Sequence, residues 1–390
     1  MVMNKLKYFV IILLPLVLTG CWDSVEINKR HVILEVAIDK NDQTKEKLTN
    51  GQGKKYEVTY TIPDIAKLSG EDSLAEDVKT VIVSKSPSLA TSIDEVEHKT
   101  QNTLTFSHTK AIILGEDLLK DKELFEATID GLLRDMQISR GTTILVAKGK
   151  AGEITKASNP ENPIIGLYIM RYFNNSERST SYAKQQTLGN MIKDLQNTGI
   201  TTIPIISQEG GKEGKEGTVL IQGAAVVDDY RFVSWLDKDQ VRGELFVDGK
   251  IKEVPIIVKY KGQDLTYKIK NQTSKTYFDN KNGEWTANLD INVDGNITEF
   301  TFLSPNILFN EENIKEISTL IQKEIINQVQ KCIDYSKKIN IDFLNIGLEM
   351  YRKYPTEWEK YQDKWEVSAY RDTPIKINAT VTIHNTGALK

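Results

Sequence analysis

The sequence predicts an α+β fold in a mixed, multi-domain protein, and three observations predict it. In the N-terminal half, two apolar runs at 110–115 and 142–148 flank a stretch with helical spacing, the pattern of a β-α-β unit. In the C-terminal half, several runs alternate with period two and are parted by turn residues, which predicts an antiparallel sheet. After them Ile314, Ile317, Leu320, Ile321, Ile325, Val329 and Cys332 make one apolar stripe, which predicts a long helix.

Length and composition agree. A chain of 390 residues suits two or three domains, and 39% hydrophobic with 27% charged residues is ordinary for a globular protein. Fifty basic and 54 acidic side chains give a net charge of −4 with no block of one sign, so nothing points to nucleic acid.

The N-terminus stands apart. Lys5 and Lys7 precede the apolar run "YFVIILLPLVL" (8–18), which is too short to span a bilayer as a helix. Residues 1–20 read as a signal peptide. The run ends in Leu18-Thr19-Gly20-Cys21, the pattern of a bacterial lipobox. Small residues at 19 and 20 let a peptidase take the extended backbone. The Cys21 thiolate is the nucleophile that accepts a diacylglycerol, and the freed amine is open to a further acyl chain. Two or three acyl chains anchor stably, whereas one does not. The expected mature chain starts at Cys21, and loss of Lys5 and Lys7 takes its charge from −4 to −6. Trp22 reads equally as a membrane-interface residue or a plain tether. With Cys21 lipidated, Cys332 has no disulfide partner, and stability must come from packed cores.

Residues 21–207 read as an N-terminal α/β region of one or two subdomains. Strands are expected at 31–40, 54–63 and 80–85, with Asn50-Gly51 as a hairpin signal between the first two. The β-α-β unit follows, its helix expected over 117–134. Two prolines lead into a helix at 164–173, and "TTIPIIS" (201–207) is a strand. "QEGGKEGKEG" (208–217) has four glycines and no apolar anchor, and reads as a linker or mobile loop. Residues 218–390 read as a C-terminal α+β domain. Strands are expected at 218–227, 230–236, 253–260, 264–271, 285–293 and 296–302, the last two joined through Asp294-Gly295. Asn310 is placed to cap the long helix, two shorter helices follow, and a strand at 375–387 closes the chain.

A catalytic or metal constellation is not legible. His31, His98, His108 and His384 are scattered, and there is neither an H-E-x-x-H pair nor a G-x-S-x-G elbow. His108 reads as a hydrogen-bonded structural histidine. "GGKEGK" is one residue too short for a phosphate loop, with Glu216 where a hydroxyl is needed. "DINVDG" (290–295) begins like a calcium loop, but Thr301 stands where a bidentate Glu belongs, and strand alternation explains its polar residues. Cys332 reads as a buried thiol in a core stripe, and Trp358, Tyr361 and Trp365 as a packed face. No cofactor is expected beyond the lipid on Cys21.

At this point the residues resemble a family. A lipobox followed by "CWDSVEIN" (21–28) looks like the start of the Ger(x)C lipoproteins of spore germination receptors. "FSHTKAIILGEDL" (106–118), "LLRDMQISRGTTILVAKGKA" (132–151), "QGAAVVDDYRFVSWLDKDQVRG" (222–243) and "KCIDYSKKINIDFLNIGLEMYRKYPTEWEKYQDKW" (331–365) resemble its later blocks, in order. Departures are Val227 for a usual Phe, Ser234 for Gly, and Asn345 for the first Gly of the D-x-x-G-x-G segment. The resemblance implies a mixed α and β protein of about three domains with no enzymatic role. It implies tethering by lipid to the outer face of the inner spore membrane, assembly with the membrane-spanning A and B subunits, and a part in nutrient sensing. The competing expectation is a solute-binding lipoprotein of an uptake system, which would show two similar α/β lobes.

Overall fold

The protein is described here by a computed structural model covering residues 29–42, 53–64, 67, 78–134, 137–157, 163–175, 181–209, 218–300 and 310–385. The Asn50-Gly51 signal lies outside the described residues.

An eight-stranded sheet dominates the first part. It comprises β2 (Glu35–Lys40), β3 (Tyr56–Pro63), β4 (Lys79–Ser86), β6 (Ala111–Leu114), β7 (Thr143–Ala147), β8 (Ile200–Glu209), β9 (Thr218–Asp228) and β10 (Arg231–Leu236). Their order is β10-β9-β8-β7-β6-β2-β3-β4. The four inner strands β8, β7, β6 and β2 run parallel, and antiparallel pairs flank them on both sides. A short parallel ribbon of β1 (Arg30–Val32) and β5 (Thr103–Thr105) sits beside it. The expected β-α-β unit is present, with Ala111–Leu114 in register with Thr143–Val146. Its helix is split into α2 (Glu116–Lys120) and α3 (Lys122–Arg134), because Asp121 leaves helical geometry and accepts the Leu124 amide with its side chain (3.1 Å).

Both faces of the inner strands are buried, which is why β6 and β7 read as unbroken apolar runs. Val36, Ile38, Ile112, Leu114, Ile144 and Val146 meet α1 (Leu89–Thr100), α2, α3 and α6 (Leu188–Thr198) on one face. Ala37, Ile113 and Leu145 meet α4 (Ala151–Lys156) and α5 (Ile165–Asn174) on the other.

The chain does not begin a new sheet at Thr218. Residues 210–217 lie outside the described residues, but on either side of them β8 and β9 pair antiparallel, and β10 adds to β9. The β9–β10 turn is Asp229-Tyr230, both left-handed (φ 44° and 59°). Beside Gly223 (φ +80°) the β8–β9 register shifts. Val219 and Ile221 before it and Ala224 and Val226 after it thereby share one face. The first pair packs under α4 and α5, the second in the core of the second lobe.

That lobe holds a four-stranded sheet of β11 (Pro255–Tyr260), β12 (Gln263–Lys281), β13 (Glu284–Phe300) and β14 (Ile375–Asn385), in that order. Its buried side chains alternate, as in Ile256, Val258 and Tyr260, and pack on α7 (Lys238–Val247) and the 29-residue α8 (Glu311–Ile339). The apolar stripe of α8 is buried from Ile317 to Cys332, with Ile314 at its start and Leu320 half-buried, and Asn310 caps the helix through the Glu312 amide (2.9 Å).

Two expectations need correction here. Asp294-Gly295 is not a hairpin: it lies inside β13, where Gly295 permits close approach to Lys268, whose carbonyl oxygen a Cβ would meet at 2.2 Å. The turn is Asn282-Gly283 (φ 56° and 90°), so β12 and β13 are each one long strand. The closing strand β14 pairs parallel with β13, not antiparallel. The long crossover through α8, α9 (Ile346–Lys353), α10 (Pro355–Lys364), a π-helical turn (Trp365–Ala369) and α11 (Tyr370–Asp372) allows that return.

Candidate functional site

Cys21, the one site residue expected from the sequence, lies outside the described residues. Cys332 is fully buried on α8, where burial pushes its thiol well above the usual range. An added Cβ on Gly243 of α7 would lie 2.3 Å from Cys332 Cβ, so the thiol works as a packing atom between two helices. His31 sits 3.1 Å from the Asn102 amide nitrogen, exposed His98 pairs with Asp94 at 3.6 Å, and His108 is exposed. Among the described residues no group of three or more His, Cys, Asp or Glu side chains could hold a metal.

The aromatic face of 358–365 is core. Trp365 is buried, stacks edge-on against Trp358 with centroids 5.3 Å apart, and donates its indole N–H to Asp342 (3.0 Å). Asp342 also accepts the amides of Ile346 (3.0 Å) and Gly347 (2.6 Å), and so caps α9. Burial raises its pKa to about 6, against three hydrogen bonds that favour the charge. Asn345, the departure noted above, is left-handed (φ 60°), a conformation that Asn reaches more readily than other side chains. Ser234, another departure, turns its hydroxyl to Tyr335 of α8.

One place where residues of both lobes converge is a polar cleft of about 480 Å³ between α6 on one side and β12 and α9 on the other. Six cations line it: Lys184 and Lys193 from the first lobe, and Lys250, Lys275, Arg352 and Lys353 from the second. Lys184 is the built element. Only 13% exposed, it contacts Glu244 (2.7 Å) and Asp248 (2.8 Å), and Thr202 donates to the same Glu244 oxygen (2.7 Å). Burial opposes the Lys184 charge, but the two carboxylates outweigh it and hold its pKa above the usual range. This buried triad ties the segment before α6 to α7. Sequence reasoning missed it, because a lone lysine in "SYAKQQT" carries no local sign of a partner 60 residues away.

Two family models match the chain nearly end to end. The one described as "Spore germination protein N-terminal domain" matches residues 23–208, and "Spore germination B3/GerAC like, C-terminal" matches residues 222–387. The chain belongs to this family of spore germination proteins. Among curated relatives from Bacillus subtilis (strain 168), it is 25% identical to spore germination protein KC over 407 residues, covering 99% of this chain and 97% of that one. Spore germination protein A3 is 22% identical, with 98% of each chain covered. The crystal structure of the GerBC protein shares the fold, with a TM-score of 0.59 and 18% identity over 90% of this chain and 97% of that one. In this germination-family chain the blocks that carry the likeness are packing devices. The 222–243 block holds Gly223 and Gly243, and the 331–365 block holds Cys332, Asp342, Gly347 and Trp365.

Proposed function

We propose that this chain is a lipid-anchored, non-enzymatic subunit of a spore germinant receptor. Cys21 carries the lipid and holds the body at the outer face of the inner spore membrane. The body assembles there with two membrane-spanning subunits and passes on a nutrient-driven change in their contacts. The observation that carries this reading is the paired family match over residues 23–208 and 222–387. The lipobox at 18–21 supports the anchor. Among the described residues no helix is long and apolar enough to cross a membrane, which in this reading leaves attachment to Cys21. The uptake alternative is disfavoured, because the second lobe, a four-stranded sheet under one long helix, does not repeat the first.

The test is nutrient germination of spores lacking the gene, beside spores carrying Cys21→Ala, followed by loss of refractility over a panel of amino acids, sugars and salts. Loss of the response to one nutrient class, with a non-nutrient trigger still effective, is the expected result. Unchanged responses in a strain also cleared of sibling receptors would sink the proposal and turn attention to solute uptake.

A further inference from the structure

The cleft between the lobes carries an excess of positive charge in a chain whose net charge is −4. Its six cations face three carboxylates, all of them engaged. Asp248 is held by Lys184 (2.8 Å) and Lys250 (3.3 Å), and Glu349 by Arg352 (2.7 Å) and Lys353 (3.4 Å). Asp194 accepts from Gln186 (2.8 Å) and Thr201 (3.2 Å). The cations with no carboxylate in ion-pair range among the described residues are Lys193 of α6 and Lys275 of β12, which line the cleft from opposite lobes, Lys275 standing opposite Asp290 of β13. On the other face of β12 from Lys275, the Ser274 hydroxyl is shut off from solvent and has no hydrogen-bond partner among the described residues.

We infer that this cleft binds a small organic polyanion, bridged between Lys193 and Lys275. The ligand carries two or more carboxylate or phosphate groups. An exposed lysine holds a single anion weakly, so one charge does not suffice. Two cations on separate walls select a ligand with two charges at a matching span, because the second contact forms intramolecularly. The polar lining excludes an apolar ligand, and about 480 Å³ fits a small molecule. Because its two contacts belong to different lobes, occupancy is coupled to the lobes' separation. The inference is independent of the receptor reading: binding is measured on the isolated protein and germination on spores, so either can fail alone.

The experiment is calorimetric titration of the full lipidated chain in detergent micelles at low ionic strength. The probes are citrate and pyrophosphate, with acetate as a single anion and deca-glutamate as an acidic peptide. Citrate, pyrophosphate or both are expected to bind at least about tenfold more tightly than acetate. Which of the two binds distinguishes a carboxylate from a phosphate ligand. Lys193→Gln and Lys275→Gln should each weaken binding about tenfold, whereas Lys261→Gln, at the β11–β12 hairpin, should not. Both cleft lysines are exposed, so these variants should melt as wild type does. The inference is overturned if neither polyanion binds, if the cleft variants bind like wild type, or if only deca-glutamate binds, which would make the cleft a peptide surface.

Discussion

Asp39 in the first lobe and Asp342 in the second do the same job with different reach. Each is a buried carboxylate that accepts two amides at a helix N-terminus next to a glycine, and in each burial raises the pKa to about 6. Asp342 caps a helix that starts four residues later in its own chain segment. Asp39, at the end of β2, caps α4 from 112 residues away. Asp342 has a third donor in the Trp365 indole, whereas among the described residues Asp39 has only the two amides. A cap built within one segment is a local property, while a cap reached across a sheet exists only once the sheet has formed. Asp39 is therefore as much a readout of strand order as a stabiliser of α4.

The largest expected effect follows from the count of donors. Asp342→Ala strands three buried donors and should cost about 3–5 kcal/mol, against about 2–3 for Asp39→Ala, read from urea midpoints. Equal costs would show that donor count does not separate the two caps. Next is pH. Both side chains have folded pKa values near 6, above the ordinary 3.8, so the folded state holds their protons more tightly than the unfolded chain does. The stability they add is complete below about pH 4 and is lost as pH rises through about 6, at no more than about 1.4 kcal/mol per pH unit for each group. Urea denaturation between pH 4 and 7 should show this fall, and Asp39→Asn and Asp342→Asn should each remove part of it. If the slope survives in both variants, other groups cause it.

A smaller contrast lies in the adjoining glycines. A Cβ on Gly347 would meet the Trp365 indole nitrogen at 2.5 Å and Trp358 at 2.8 Å, while one on Gly152 would meet only the ends of Thr59 (2.9 Å) and Asp39 (3.3 Å). Gly347→Ala should thus cost about 1–3 kcal/mol and Gly152→Ala under about 1, by thermal melting. The smallest effect is at Asn345. Asn345→Gly should stay within about 0.5 kcal/mol of wild type, and Asn345→Ala should lose about 1, because alanine pays more for the left-handed conformation. An alanine variant as stable as wild type would show that the turn relaxes.

Some of the helices that sequence reading passed over had legible starts. Ser88 with Thr91 and Asp237 with Gln240 form capping boxes at α1 and α7, and Thr187 and Gly199 bracket α6. Their apolar residues are few, so the periodic signal was weak while the cap signal was present. The hairpin error has the same root. Asn282-Gly283 and Asp294-Gly295 are both turn dipeptides, and only the pairing partner decides which one turns. Of the candidate cleft nothing was legible, since Lys193 and Lys275 are ordinary surface lysines until two lobes set them face to face.

By itself the sequence determined the lipobox-like pattern at 18–21, the β6-α-β7 unit and the apolar stripe of α8. All of these are patterns complete within some forty residues. Only the tertiary structure decided that β9 and β10 finish the first sheet, that β14 returns parallel to β13, that Lys184 meets Glu244 and Asp248, and that cations of two lobes share one cleft. The reason is physical. Periodicity records which face of an element is buried, but not which distant element buries it, and strand partners and clefts are made by those distant pairings.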